Sequence, residues 1–346
     1  MTNETVLVTG GNGFLGAYCA LALLGSGYRV RTTIRNVRNA PRLLEMLRAG
    51  GAHDADSVDV VAADLTKDAG WREAVAGCRY VLHVASPYPS RRPRDENDLI
   101  VPARDGSLRV LRAARDAGVE RVVLTSSFAA IGYGHPKEAA HTFTEADWTD
   151  PDAPGVEAYQ RSKTLAERAA WDFVATDGGG LELAVVNPVG IIGPLLYPEP
   201  TTSMQLMTQL LNGQLPAVPR LTYGVVDVRD AADLHVRAMT NPAANGQRFL
   251  ATAGEALWVA DVARILRDNL GAAGRRVPRR VMPDIVVRAL GLVVPSVRSM
   301  VHDLGVFKGL SNAKAHDVLG WRPRSVEQTL LEMAQSLVDL GLVKSS

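Results

Sequence analysis

Charge of one sign is what this sequence most lacks. Its 346 residues carry 38 lysines and arginines against 37 aspartates and glutamates, a formal net charge of +1. It has neither the basic footprint of a nucleic-acid binder nor a polybasic membrane patch. Cysteine is scarce too. Cys19 and Cys78 are the only two, each in an apolar segment, which reads as buried free thiols in a reducing compartment. No run of about 18 apolar residues occurs, and the opening MTNETVLV has no basic stretch leading into an apolar core and a cleavage site. The expectation is a cytoplasmic protein, monomer or homodimer, that meets neither membrane nor nucleic acid, holds no metal and acts on a small molecule.

What is present is a hydrophobic content of 47% in a chain long enough to bury one large core or two smaller ones. The first half alternates short apolar runs with longer amphipathic ones, the pattern of βαβ units and a parallel sheet. Strands are predicted over 6–9, 28–34, 58–62, 80–84, 121–125 and 183–186, and six of them suit a Rossmann-type doubly wound sheet. Between them, AYCALALLGSG and LIVPARDGSLRVLRAARDAG read as helices stopped by glycines, with Pro102 marking a start or a bend in the second. From Pro188 prolines cluster and the pattern becomes irregular. Residues 1–187 are therefore expected to form the dinucleotide-binding domain and 188–346 a smaller, mostly helical substrate lobe, with some elements returning to the main domain. In the lobe, Ile285, Val286, Ala289 and Leu290 form an apolar stripe that reads as core, and VEQTLLEMAQSLVDLGLV reads as a terminal amphipathic helix. The charged stretch SRRPRDEND reads as a solvated loop.

Gly10, Gly11, Gly13 and Gly16 lie between the first strand and the first helix, the context in which such a run means dinucleotide binding. Glycine there permits unusual backbone angles, lets a pyrophosphate approach bare amides at a helix N-terminus, and allows close packing of helix on sheet. Gly11, Gly13 and Gly16 fit one spacing, and Gly10, Gly13 and Gly16 fit another; the sequence leaves both open. The candidate cofactor contacts are Gly10, Gly13, Phe14, Leu15 and Gly16. A ribose with free hydroxyls calls for an acidic residue about 20 positions on. The segment TTIRNVRN offers Arg35 instead, with Arg38 and Arg42 nearby, and a guanidinium suits a 2′-phosphate. NADP(H) is therefore expected over NAD(H).

YQRSK places Tyr159 and Lys163 four residues apart, on one face of a predicted helix. An ammonium at ~4 Å and an effective dielectric of ~20 contributes ~4 kcal/mol, enough to lower a phenol by about 3 pKa units at most. Tyr159 could then give a proton to a carbonyl during hydride transfer. VVLTSS ends the fifth strand, putting Thr125, Ser126 and Ser127 at the carboxyl edge of the sheet, where open α/β folds bind ligands. A hydroxyl there can hold a substrate carbonyl.

Together TGGNGFLG, the set Ser127, Tyr159 and Lys163, HVASP, NPVGIIGP, DVRDAADLH and LGWRPRS resemble the extended short-chain dehydrogenase/reductase superfamily. The sequence is most similar to the branch of dihydroflavonol reductases, cinnamoyl-CoA reductases and microbial NADPH-dependent aldehyde or ketone reductases. The resemblance implies that Ser127 polarises the carbonyl, with Ser126 as the alternative. It implies that Tyr159 delivers the proton, and that Lys163 lowers the tyrosine pKa and binds the nicotinamide ribose. It also implies that Asp64 and Leu65 flank the adenine, that Val84, Ala85, Ser86 and Thr125 lie along the cofactor, and that Pro188, Val189, Gly190 and Ile191 meet the carboxamide. Gly132 stands where dihydroflavonol reductases carry an asparagine, and EAYQRSK departs from the cinnamoyl-CoA reductase signature, so neither plant substrate is expected. Phe128, Tyr133, Tyr223 and Val226 are expected to line a pocket for a hydrophobic aldehyde or ketone. Two rivals remain. A sugar-nucleotide epimerase or dehydratase holding NAD would want an acid in place of Arg35, and a dinucleotide sensor would have no use for Tyr159 with Lys163.

Overall fold

The computed structural model describes residues 4–87, 95–136, 141–199, 204–298 and 300–343. In chain order these residues form β1 (Thr5–Thr9), α1 (Phe14–Gly25), β2 (Arg29–Ile34), α2 (Ala40–Ala49), β3 (Asp59–Ala62), α3 (Trp71–Val75), β4 (Cys78–His83), α4 (Asn97–Asp116), β5 (Arg121–Thr125), β6 (Thr142–Phe143), α5 (Ala158–Asp177), β7 (Glu182–Pro188) and β8 (Gly190–Ile192). There follow α6 (Gln205–Leu211), β9 (Thr222–Tyr223), β10 (Val225–Asp227), α7 (Val228–Thr240), β11 (Arg248–Ala251), β12 (Leu257–Trp258), α8 (Val259–Asn269), α9 (Asp284–Val293), α10 (Pro295–Arg298), β13 (Gly309–Leu310), α11 (Ala313–Leu319) and α12 (Val326–Asp339).

Seven strands make one parallel sheet in the order β11-β7-β5-β4-β1-β2-β3. The strand order reverses between β1 and β4, so a crevice opens there at the carboxyl edge. This is the expected doubly wound Rossmann-type sheet. The strands are apolar on both faces because both faces are covered. Val6, Leu82 and Val186 pack under α1 and α7 on one side, and Leu7, Val81 and Val185 under α4 and α5 on the other. The seventh strand, β11, was not among the six expected. RFLA is a four-residue run far beyond the alternating half of the chain, and it pairs with β7 as Arg248 with Val185 through Ala251 with Pro188. Helix α4 also starts earlier than expected, at Asn97, with Pro102 inside it. The stretch 90–98 lies mostly outside the described residues, and its last two residues already belong to α4.

Cys19 and Cys78 are buried free thiols, as expected. The later part of the chain builds a second apolar cluster in which Met207, Leu211, Val262, Leu266, Met333 and Leu337 interlock α6, α8 and α12. Two other late segments return to the main sheet. Asp227 caps α7 by accepting from Arg229 N at 2.9 Å. The carbonyl of Asp230 accepts from the buried Trp321 Nε1 at 2.9 Å, and its carboxylate accepts from Arg324 N at 2.8 Å. The two late motifs DVRDAADLH and LGWRPRS thus fasten the C-terminal segment onto α7. The apolar stripe on α9 needs correction: Ile285 is 76% exposed and Val286 and Leu290 are also exposed, while Val287 and Gly291 turn inward. The helix is apolar nearly all round, so periodicity could not say which side would be covered.

Candidate active site

The glycine turn uses all four of its glycines, each differently. Gly10 has φ +71°, the left-handed region open to glycine, and the amides of Gly10 and Gly11 both donate to Thr33 O, at 3.1 and 3.2 Å, tying the turn to β2. A Cβ on Gly11 would lie 2.1 Å from Thr32 Oγ1, and one on Gly16 only 2.3 Å from Gly10 O. Gly13, the residue before α1, is different: a Cβ there would meet Gly10 O alone, at 3.2 Å. Space therefore opens in front of Gly13 and the first amides of α1, and no acidic residue stands in that helix's first turn. The side chains of Phe14 and Leu15 turn away into apolar clusters, so what they offer this space is backbone N–H. Bare amides and a helix dipole facing an uncrowded turn fit a pyrophosphate.

Around this turn the carboxyl ends of the parallel strands converge. Arg35 is the first residue beyond β2 and is exposed. Arg42 stacks its guanidinium 4.2 Å from the Tyr197 ring centre and pairs with Glu199, so it joins α2 to the segment after β8. Asp64 Oδ1 accepts from Thr66 N and Oγ1 at 2.9 and 2.8 Å, and these hydrogen bonds, the backbone one first, hold its carboxyl below the usual range. Its neighbour Leu65 packs towards Gly106 of α4. Ala85 N donates to Thr9 Oγ1 at 2.9 Å, and Thr9 also hydrogen-bonds the buried His83. Burial and the nearby Lys163 charge keep that imidazole neutral, at about 3.

Ala85, Ser86, Thr125, Ser126 and Lys163 meet in one small cleft. Beside it lies a larger cavity of about 330 Å³ lined by Ser127, Phe128, Tyr133, Tyr159, Pro188 to Gly190, Tyr223 and Leu310, among others. The two serines part company here. Ser126 is buried and its hydroxyl donates to Glu167 Oε2 at 2.5 Å, whereas Ser127 faces the cavity and accepts from Ala129 N at 3.1 Å. Alternation along the strand end sends consecutive side chains to opposite sides. Thr125 Oγ1 lies 2.7 Å from Nε2 of the buried His235 on α7.

Three phenols border the larger cavity. Burial pushes those of Tyr133 and Tyr223 up, out of the range of easy proton transfer. Tyr159 is the one with a lysine one turn along its helix. Burial pushes the Lys163 ammonium down to about 8, against the pull of Glu167 one turn further on. Four of the expected lining residues require one correction: Phe128, Tyr133 and Tyr223 border the cavity, but Val226 on β10 is fully buried in the main core. Gly132 could not carry a longer side chain as placed, since a Cβ would lie 2.0 Å from the Phe128 ring.

Residues that the sequence did not flag support the site from behind. Glu167, 1% exposed, accepts from Ser126, from Asn187 Nδ2 at 2.8 Å and from Arg248 Nε at 2.5 Å. Arg248 also donates to the carbonyls of Glu145 and Asp147 and lies 3.7 Å over Trp148. Glu167 had a faint signal, four positions after Lys163; its partner Asn187 opens the motif NPVGIIGP but was given no role there, and Arg248, 81 residues on, had no signal.

Comparison with known proteins adds three findings. Residues 6–251 match the NAD dependent epimerase/dehydratase family. Among curated proteins, a cinnamoyl-CoA reductase of Medicago truncatula is 34% identical over 269 residues, 77% of this chain and 80% of the relative, and a dihydroflavonol 4-reductase of Zea mays is 31% identical over 272 residues, 77% and 74%. Among solved structures, the yeast methylglyoxal/isovaleraldehyde reductase Gre2 in complex with NADPH superposes with a TM-score of 0.80 at 28% identity, covering 98% of this chain and all of that one.

Proposed function

The chain belongs to the NAD dependent epimerase/dehydratase family, and on that premise we propose that it is an NADPH-dependent carbonyl reductase that converts a hydrophobic aldehyde or ketone to the alcohol, with Tyr159 as proton donor. Its named relatives and its structural likeness make it an oxidoreductase of the short-chain dehydrogenase/reductase type that uses NADP(H). The observation that carries the finer reading is one cavity bordered by Ser127, Tyr159 and the Pro188 to Gly190 turn, next to a cleft holding Lys163.

NADPH, when bound, supplies the hydride. Gly10, Gly13 and Gly16 with the amides of Phe14 and Leu15 would hold its pyrophosphate, and Arg35 its 2′-phosphate. Asp64 and Leu65 would border the adenine, Val84 to Ser86 with Thr125 and Lys163 the nicotinamide ribose, and Pro188 to Ile191 the carboxamide. In the cavity, Ser127 Oγ donates to the substrate carbonyl oxygen and so fixes the face presented. Tyr159 gives its phenolic proton to the same oxygen as it gains negative charge. Lys163 favours the phenolate left behind. Apolar walls of Phe128, Ala129, Val189, Ala256 and Leu310 desolvate the rest of the substrate.

Loss of NADPH absorbance with a panel of unrelated aldehydes and ketones tests the reading. Tyr159→Phe keeps the ring and the fold, so turnover should fall by about 100-fold or more while NADPH affinity, read by fluorescence titration, stays within a few-fold. Near wild-type turnover in that variant would rule out Tyr159 as the acid.

A further inference from the structure

The substrate cavity does not end at its apolar walls. Tyr133, Asp303 and Lys308 border it, and the same three residues border a second recess of about 50 Å³ together with Gln160, His302 and Val306. At roughly 10–15 Å³ per water-sized group, the recess has room for about three to five such groups. It adjoins the main cavity, and the three shared residues form the boundary, here called the neck, between the two.

The neck is polar and its side chains are held by one another. Lys308 Nζ lies 3.0 Å from Asp303 Oδ1 and 3.7 Å from the centre of the Tyr133 ring, and its side chain is only 13% exposed. Tyr133 is held in turn by Gln160, whose side-chain oxygen is committed to Glu157 N at 3.1 Å, leaving its amide N–H to hydrogen-bond the phenol. An ammonium and a carboxylate side by side sum to no net charge. A substrate carboxylate entering here meets Asp303 as well as Lys308, and a substrate ammonium meets Lys308 as well as Asp303. A hydroxyl satisfies both, because it can accept from the lysine and donate to the aspartate.

We infer that the neck formed by Tyr133, Asp303 and Lys308 is a specificity site for a neutral hydroxyl at the end of the substrate remote from its carbonyl. The inference rests on the carbonyl-reductase reading and adds the substrate class: a hydroxylated aldehyde or ketone, apolar in the middle, with its hydroxyl in or just short of the recess.

Matched substrates of one chain length, ending in methyl, hydroxyl or carboxylate, test it with NADPH as reductant. For the wild type, kcat/KM for the hydroxyl form should exceed that for the methyl form by about fivefold, the scale of one net hydrogen bond, and the gain should appear in KM. The carboxylate form should be the poorest. Lys308→Met should bring the hydroxyl-to-methyl ratio close to one. Asp303→Asn, which keeps the size of the side chain, should raise the carboxylate form relative to the methyl form. A carbonyl panel turned over with no advantage for the hydroxyl, or with the carboxylate preferred, overturns this inference and leaves the reductase reading standing. Absence of NADPH consumption with every carbonyl overturns both.

Discussion

Lys163 is a charge that the protein encloses against its preference. Burial lowers its pKa to about 8 from 10.5, so between those values the unfolded chain holds a proton that the folded chain has released. Where the unfolded state binds more protons, stability rises with pH. The penalty for enclosing the ammonium is thus fully present below about pH 8 and is relieved as pH climbs towards 10.5. Without cofactor, the Tm of the wild type measured against that of Lys163→Met should improve across this window, and a flat difference would show that the ammonium is not enclosed. The same surroundings decide the serines. Ser126 and Ser127 are equivalent in the sequence, and only the buried Glu167 carboxylate at 2.5 Å from one of them separates their uses.

Among the elements, the glycine turn and α1 make the sharpest contrast. Gly13 and Gly16 look alike as sequence, yet a side chain at Gly16 would overlap the turn at several atoms whereas one at Gly13 would meet a single atom. A Cβ at Gly16 would sit 2.3 Å from the backbone oxygen of Gly10, while one at Gly13 would sit 3.2 Å from the same oxygen, a tight contact that a shift of a few tenths of an ångström relieves. Gly16→Ala should therefore lower the denaturation midpoint by the equivalent of about 2 kcal/mol or more, in the range of overpacking. Gly13→Ala should lower the midpoint less than Gly16→Ala does and should weaken NADPH binding, as read by calorimetry. Equal effects on stability would show that the room at Gly13 is not real. The elements most legible beforehand were β1, β2 and β5, apolar runs ended by turn residues. Strand β11 and the exposed face of α9 were not legible, because a four-residue run and an all-round apolar helix take their meaning from what packs against them.

At the scale of the whole molecule, Glu167 and Arg248 bind four distant pieces of chain behind the site. Arg248 on β11 reaches Glu167 on α5 and the carbonyls of Glu145 and Asp147, while Glu167 reaches Asn187 on β7. Removing one partner of a buried pair leaves the other charge without compensation, at a cost of about 3–5 kcal/mol. Arg248→Met should lose stability on that scale in urea, and adding Glu167→Gln should recover part of the loss, the non-additivity expected of groups in contact. Strict additivity would mean the two do not act as a pair. The second tie, Trp321 and Arg324 on Asp230, holds the C-terminal segment to α7 in the same way.

By itself the sequence determined the alternation of apolar strands and amphipathic helices, the glycine turn, the absence of an acid at Arg35 and the Tyr159 and Lys163 pair, because each depends on neighbours within a few residues. The tertiary structure alone decided which serine faces the cavity, that Val226 does not, that Glu167 meets Arg248, and that Lys308 stands beside Asp303 at the boundary between cavity and recess. Those depend on which distant segments the sheet order brings together, and on the burial that then fixes the cost of each charge and the direction of each side chain.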